Sequence, residues 1–484
     1  MADELPPVGP FATEFVAFVH AMHEAAELPE GPWVASMREH LGVEPAEQAI
    51  TSASFRIAER ANLQLALEDV LQGVVPLGVP SHQGMAGLLG GAHPGPRRNR
   101  GWAVEWADVE IGDGRVLRCM RAALLLVQHE QAPVALLVCE SEGQGPGMFG
   151  PQTELRLEAI SPDQEAVSSL FAAIRRAMLE HNIFRGKIIS LTSSGGVGFH
   201  NVPEVTQADV VLPDGVLDRL RQHAIGISEH AGELRAAGRH LKRGILLHGP
   251  PGTGKTLTIN YLLNATRGRT TVLLSGGGLG HLESAFGIAR DLAPATVVLE
   301  DVDLVAAERF TRASGGLLFE LLNQLEGLEE DVDLLTVLTT NRPDVIEPAL
   351  AARPGRVDLA LEAPLPDDAC RTRLLHLYAR EIPLDERAVS ELAEITEGVT
   401  GAFIKELMRQ ATLRAALAGR SPGAGDVKTI AEELLDERAT LTRRLLGHGP
   451  GDSADLGEPP PSMGRAVIAA GLVGGPVRRV VQRP

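Results

Sequence analysis

A chain of 484 residues, 44% of them hydrophobic, exceeds what a single core organises, so two to three domains are expected. Its 63 acidic against 45 basic side chains give a net charge of −18, which repels phosphate backbones and argues against nucleic acid as a partner. No apolar run approaches the roughly 18 residues of a membrane span, and the acidic opening MADELPPVGP has no signal-peptide pattern, which points to the cytoplasm.

The first 205 residues read as an α+β domain without a nameable catalytic pattern. Phe11, Phe15, Phe18 and Met22 recur at helical spacing and read as a core-facing stripe. A second helix ends with NLQLALEDVLQ, and a Gly/Pro-rich connection from Gly73 to Gly101 follows, carrying the basic run Arg97–Arg100, read as a solvated loop or an anion-binding patch. WAVEWADVEI, RVLRCMRAALLLV and PVALLVCE are short, Val/Leu-rich and bounded by turn signals, hence strands, with Trp102 and Trp106 as packing residues. Residues 161–181 repeat Val167, Leu170, Phe171, Ile174 and Met178 at helical spacing and close this domain. Cys119, Cys139 and Cys370 show no metal-ligand spacing and read as reduced thiols.

Strand and helix patterns alternate over residues 206–365, predicting an α/β unit with a parallel sheet and helices on both faces. Residues 366–445 are nearly continuous helix, broken at GRSPGAGD, and predict a helical lid. The remainder, 446–484, is rich in turn formers and reads as a disordered tail.

The stretch RGILLHGPPGTGKTLTINYLL has the grammar of strand, glycine loop and helix. Gly249, Gly252 and Gly254 allow positive φ, so the loop Gly249, Pro250, Pro251, Gly252, Thr253 and Gly254 can turn the N–H groups of its non-proline residues onto a phosphate at a helix N-terminus that continues through Leu257. Lys255 is placed to reach the β- and γ-phosphates, and the Thr256 hydroxyl to hold Mg²⁺. Further on, the apolar strand TVVL runs into Glu300 and Asp301, which a parallel nucleotide-binding sheet would deliver beside the metal and the γ-phosphate. The chemistry asks one carboxylate to hold the metal shell and another to orient the attacking water.

Residues 206 to about 445 resemble the AAA clade of the AAA+ P-loop ATPases. The likeness rests on LAPATVVLEDVDLVAAER, on NQLEGL at Asn323–Leu328 and on LLTVLTTNRPDVIEPALAARPGRVD, as well as on the glycine loop. It implies ATP and Mg²⁺ as cofactors and ATP hydrolysis as the reaction. Glu300 then stands at the site of the family's metal-ligand aspartate and Asp301 at that of its catalytic glutamate, an order similar to the Bcs-type mitochondrial branch. The resemblance also implies Asn341 as the sensor of the attacking water, Arg353 and Arg356 as arginine fingers serving a neighbouring subunit, and hence a homo-oligomeric, hexameric ring. Gly401 and Ala402 fall in the sensor-2 segment, and Tyr378 where many relatives carry a histidine near the adenine. In SGGGLGHLESAF the family's client-gripping aromatic is missing, and Leu279 either substitutes for it or the pore does not grip. Two roles stay open: remodelling, disassembly or unfolding of a protein client, and a nucleotide-gated scaffold with slow hydrolysis.

Overall fold

The structure, a computed structural model, describes residues 14, 15, 18, 32–80, 84–89, 102–142, 153–193, 195–303, 321, 323–325, 332–344, 357–380 and 382–445. The N-terminal unit comprises helices α1 (Pro32–Leu41), α2 (Arg60–Val70) and α3 (Gln164–Glu180) around strands β1 (Thr51–Arg56), β2 (Glu105–Glu110), β3 (Val116–His129), β4 (Ala132–Glu142) and β5 (Thr153–Ile160). The strands form one antiparallel sheet in the order β1-β5-β4-β3-β2. Period-two alternation gives the sheet two apolar faces. Leu125, Val127, Leu136 and Val138 pack under α2 and α3, while Leu124, Ala135, Leu137 and Cys139 pack against Trp33 and Met37 of α1. Asp163 caps α3 by accepting from the N–H groups of Glu165 and Ala166 at 2.9 and 3.3 Å.

The three strands and the helix expected over 102–181 are present. Strands β1 and β5, TSASFR and TELRLEAI, escape the sequence reading because polar residues interrupt their apolar pattern. Phe15 and Phe18, expected in a core, are 55% and 59% exposed. Phe11, Met22, Arg97–Arg100 and the tail 446–484 lie outside the described residues. Trp106 is partly exposed, with the Arg118 guanidinium 5.4 Å from its ring centre. All three cysteines are buried and free, and burial pushes the Cys139 thiol up to about 12.

The second unit carries β6 (Ile188–Leu191), β7 (Val197–His200), β8 (Arg243–His248), α4 (Lys255–Ala265), β9 (Thr270–Leu274), α5 (Leu282–Asp291), β10 (Ala295–Leu299), β11 (Leu334–Thr340) and β12 (Leu359–Glu362). Its seven-stranded sheet has the order β12-β8-β11-β10-β9-β6-β7, parallel except for the β6–β7 hairpin. Leu246, Leu274, Val297 and Leu299 face α5 on one side, and Ile245, Leu247, Val298 and Val337 face α4 on the other. Such near-continuous apolar runs are what a parallel strand covered on both faces requires. Sheet membership therefore reaches back to Ile188, N-terminal of the division expected near residue 205. The lid is α6 (Asp368–Ala379), α7 (Glu386–Ile395), α8 (Gly401–Leu417) and α9 (Ala424–Leu445), packed around Leu375, Leu392, Ile404, Leu407 and Ile430. No helix among the described residues is long and apolar enough to cross a membrane.

At the N-terminal strand ends, Asp333 binds two buried arginines, accepting from Arg243 Nη1 at 2.8 Å and Arg269 Nη1 at 2.9 Å. Burial raises the Asp333 carboxyl, but hydrogen bonds and charge from Arg269 and Arg243 outweigh it and hold the group below the usual aspartate range. Its stabilising contribution is therefore present at neutral pH and is lost only as acid titrates it below that range. Asp333→Ala leaves two buried guanidiniums without their anion, and a loss of about 3–5 kcal/mol is expected, measured as a shift of the urea unfolding transition.

Candidate functional site

Strand β8 ends at His248, and the chain then turns back through Gly249–Gly254 before α4 opens at Lys255. The turn demands glycine for two separate reasons. At Gly249, φ is 142° and a Cβ would sit 2.2 Å from the carbonyl oxygen of Ala363. At Gly254, φ is 99° with open space around the missing Cβ, so there the backbone alone selects glycine. Among the described residues the N–H groups of Gly252, Thr253 and Gly254 meet no acceptor. The first N–H groups of α4 have none within the helix either. A row of unsatisfied donors at a helix N-terminus is a cradle for an anion.

Lys255 is only 8% exposed. Its ammonium donates to Gly249 O at 2.8 Å, Pro250 O at 2.9 Å and Asn341 Oδ1 at 2.8 Å. Burial lowers its pKa, partly countered by the charges of Asp301 and Asp303. Asn341, just past β11, passes the contact on, its Nδ2 donating to Asp301 Oδ1 at 3.1 Å. Three strand ends thus meet through one amide: β8 through Lys255, β11 through Asn341 and β10 through Asp301. Asp301 has φ of 53° and donates its N–H to Thr339 Oγ1 at 3.0 Å. Glu300, half-buried, donates its N–H to Leu274 O at 3.0 Å and is not among the residues that line the cleft.

A cleft of about 1170 Å³ opens over this junction, between the sheet and the lid. Its wall takes in Pro251 to Leu257, Asp301 and Asn341 from the sheet side, and Tyr378, Gly401 and Ala402 from the lid. The lid is tied to the loop directly, because Ala402 N donates to Gly252 O at 3.1 Å. A Cβ on Gly252 would lie 3.1 Å from both the Ala402 methyl and Thr400 Oγ1. The Thr256 side chain is exposed to the cleft. Tyr378 is half-buried, and burial pushes its phenol up.

The structure thus brings together Lys255, Thr256, Asp301, Asn341, Gly401 and Ala402. Arg353 and Arg356 lie outside the described residues. Leu279, a candidate for gripping a client, is 3% exposed and packs in the core with Leu191 and Leu282, because the Gly276–His281 turn folds down onto β6.

Two residues were missed in the sequence. Asp303, buried, accepts from Thr340 Oγ1 at 2.9 Å and from Asn341 N at 3.1 Å, fixing the end of β11. Its signal was a third acid, two residues beyond Asp301. Lys405, on the lid helix four residues after Gly401, lines the cleft with an exposed side chain.

The sequence pattern of the ATPase family associated with various cellular activities (AAA) matches residues 245–365. The chain is 36% identical over 230 residues to the ATP-dependent zinc metalloprotease FtsH 1 of Symbiobacterium thermophilum, covering 44% of this chain and 38% of that protein. It is 35% identical over 239 residues to the Cell division cycle protein 48 homolog of Archaeoglobus fulgidus, covering 46% and 32%. With the proteasome-activating nucleotidase of Pyrococcus abyssi it shares 30% identity over 261 residues, covering 51% and 66%. The chain therefore spans well under half the length of the metalloproteases it matches.

Asp303→Ala strips the Thr340 hydroxyl and the Asn341 N–H of their buried acceptor. Unfolding stability is expected to fall by about 1–3 kcal/mol, read from chemical denaturation of the ligand-free chain.

Proposed function

The chain belongs to the AAA family of ATPases, and from that premise we propose that it binds ATP with Mg²⁺, hydrolyses it, and couples turnover to remodelling of a protein client. The observation that carries the reading is the Lys255–Asn341–Asp301 chain of contacts at the mouth of a glycine loop in which the Gly252, Thr253 and Gly254 N–H groups meet no acceptor among the described residues.

Lys255 directs its three donors to two loop carbonyls and Asn341. A triphosphate is a stronger acceptor than a neutral carbonyl or amide, so it draws the ammonium to the β- and γ-phosphates. Asn341 Oδ1 is then released. With its Nδ2 still on Asp301, the amide can accept from a water poised between the two side chains. Asp301 takes a proton from that water as its oxygen bonds to the γ-phosphorus. The bond to the bridging oxygen breaks toward ADP, and inorganic phosphate is the second product.

Thr256 and Glu300 would hold Mg²⁺, which spreads the charge of the phosphate oxygens. The metal keeps part of its water shell, so a carboxylate set back from the cleft wall suits it. Gly401 and Ala402 close the cleft from the lid, and the Thr400 side chain, which accepts from Phe403 N at 3.3 Å, caps α8 against the loop.

Arg353 and Arg356 are assigned to the neighbouring subunit's γ-phosphate, which makes the working form a closed homo-oligomeric ring, a hexamer by family likeness. What supports a protein client is the company of relatives, a protease, a cell-division-cycle homolog and a proteasome-activating nucleotidase. With Leu279 buried, recruitment of that client falls to the N-terminal unit.

Two outcomes test the reading. Lys255→Ala is expected to abolish retention of a fluorescent ATP analogue, whereas Asp301→Asn keeps it and slows phosphate release by about 100-fold or more; equal turnover in Asp301→Asn would remove the assignment. Arg356→Ala is expected to bind ATP normally and hydrolyse it about 100-fold more slowly, checked by steady-state turnover alongside sedimentation.

A further inference from the structure

The Gly276–His281 turn follows β9 and leads straight into α5, whose far end returns through Pro294 to β10 and the acidic pair. The turn and α5 are held by contacts from the N-terminal unit and from β6 with the β6–β7 turn. Ala58, between β1 and α2, is buried in the same core as Leu279, Leu282 and Phe286. The β6–β7 turn is wedged between the units: a Cβ on Gly195 would lie 2.5 Å from Ile57 Cγ2, and His281 Nε2 is 3.1 Å from the carbonyl oxygen of Ser193. A Cβ on Gly278 would lie 2.4 Å from the carbonyl oxygen of Leu191.

Arg56 holds α5 itself. Its Nη1 bridges two carboxylates, Glu59 Oε1 at 3.1 Å and Asp291 Oδ2 at 2.9 Å, the second of them on α5. An exposed pair of this kind is worth little alone. Here Glu59 is 9% exposed, so losing Arg56 would leave a buried carboxylate beside Asp291 without its cation. The guanidinium also lies on Gly287, where a Cβ would come 2.2 Å from Nη2, 2.5 Å from Cζ and 2.7 Å from Nε. A glycine inside a helix costs about 0.5–1 kcal/mol against alanine. The three nearest atoms that such a Cβ would meet all belong to Arg56, so the glycine makes a seat for that side chain.

We infer that the N-terminal unit latches the Gly276–His281 turn and α5 through Arg56 seated on Gly287, so that release of this latch sets how freely the nucleotide site turns over. A client bound to the N-terminal unit would act on the site by loosening Arg56, without a residue of the turn touching it. The effect on turnover rests on the ATPase reading; the latch itself does not.

Gly287→Ala is the cleanest test, because it expels the guanidinium while favouring the helix; Arg56→Ala removes the bolt from the other side. Hydrogen exchange on the ligand-free full chain is expected to be about tenfold faster over 276–281 in both variants, with exchange in β8 and α8 unchanged. Turnover of ATP is expected to rise by about threefold or more in both, with nucleotide affinity held. Wild-type exchange over 276–281 in both variants would overturn the latch, and faster exchange with wild-type turnover would overturn its control of the site. A parent chain that binds no ATP would instead defeat the ATPase reading, and the exchange result would stand apart from it.

Discussion

A lysine ammonium withdrawn from water must be surrounded by acceptors, and the second unit is organised around where Lys255 finds them. Two are carbonyls of its own loop, which point inward only because Gly249 and Gly254 hold backbone conformations closed to other residues. The third is Asn341, available only because β11 lies beside β8 and ends level with it. Since β10 flanks β11 on the other side, the same amide meets Asp301. The strand order thus converts one buried cation into a contact among three strand ends, and the lid joins through Ala402 and Gly252.

Much of this was legible in the sequence. Glycine spacing, the lysine, the apolar strand running into acids and the asparagine at a strand exit are local patterns whose chemistry follows from residue type. The α/β sheet with helices on both faces and the helical lid were legible for the same reason, since buried parallel strands read as continuous apolar runs. What failed to show is non-local. The hairpin β6–β7 falls within the first 205 residues, read as one domain, yet hydrogen bonds from β6 to β9 add it to the seven-stranded sheet. No periodicity in IISL or VGFH encodes a partner some eighty residues away. Leu279 invited a functional reading because it stands in the segment where the family's client-gripping aromatic is expected; the glycines around it instead let the backbone approach β6 closely enough to bury it. Asp303 went unnoticed because an acid following two acids looks like more of the same pattern, and its ties to Thr340 and Asn341 appear only with β11 in place.

The two units share apolar core as well as surface. Ala58 packs among residues of the second unit, and Asn62 of α2 accepts from Ile183 N at 2.9 Å, so the N-terminal unit is anchored before the sheet it adjoins begins. A domain fixed in this way can pass strain into its neighbour, which a domain on a free tether cannot do. Pairing β6 to β9 also covers the edge strand from which the Gly276–His281 turn departs.

The reversed acid pair has a backbone explanation. Position 301 is the second residue past β10, and the chain bends there before Asp303 meets Thr340 and Asn341 at the end of β11. The bend is made with φ of 53° at Asp301, a left-handed conformation that aspartate and asparagine tolerate better than longer side chains. Aspartate at 301 therefore suits the turn, and the same turn tips its short carboxylate toward Asn341, where the hydrogen bond is 3.1 Å. On the proposed assignment, the methylene lost from the catalytic acid is made up by backbone direction and by the asparagine that hands it the water. The longer glutamate falls at 300, set back from the cleft wall, where on the same assignment its added reach would serve a metal. On that assignment the exchange matches each carboxylate to the distance its position imposes.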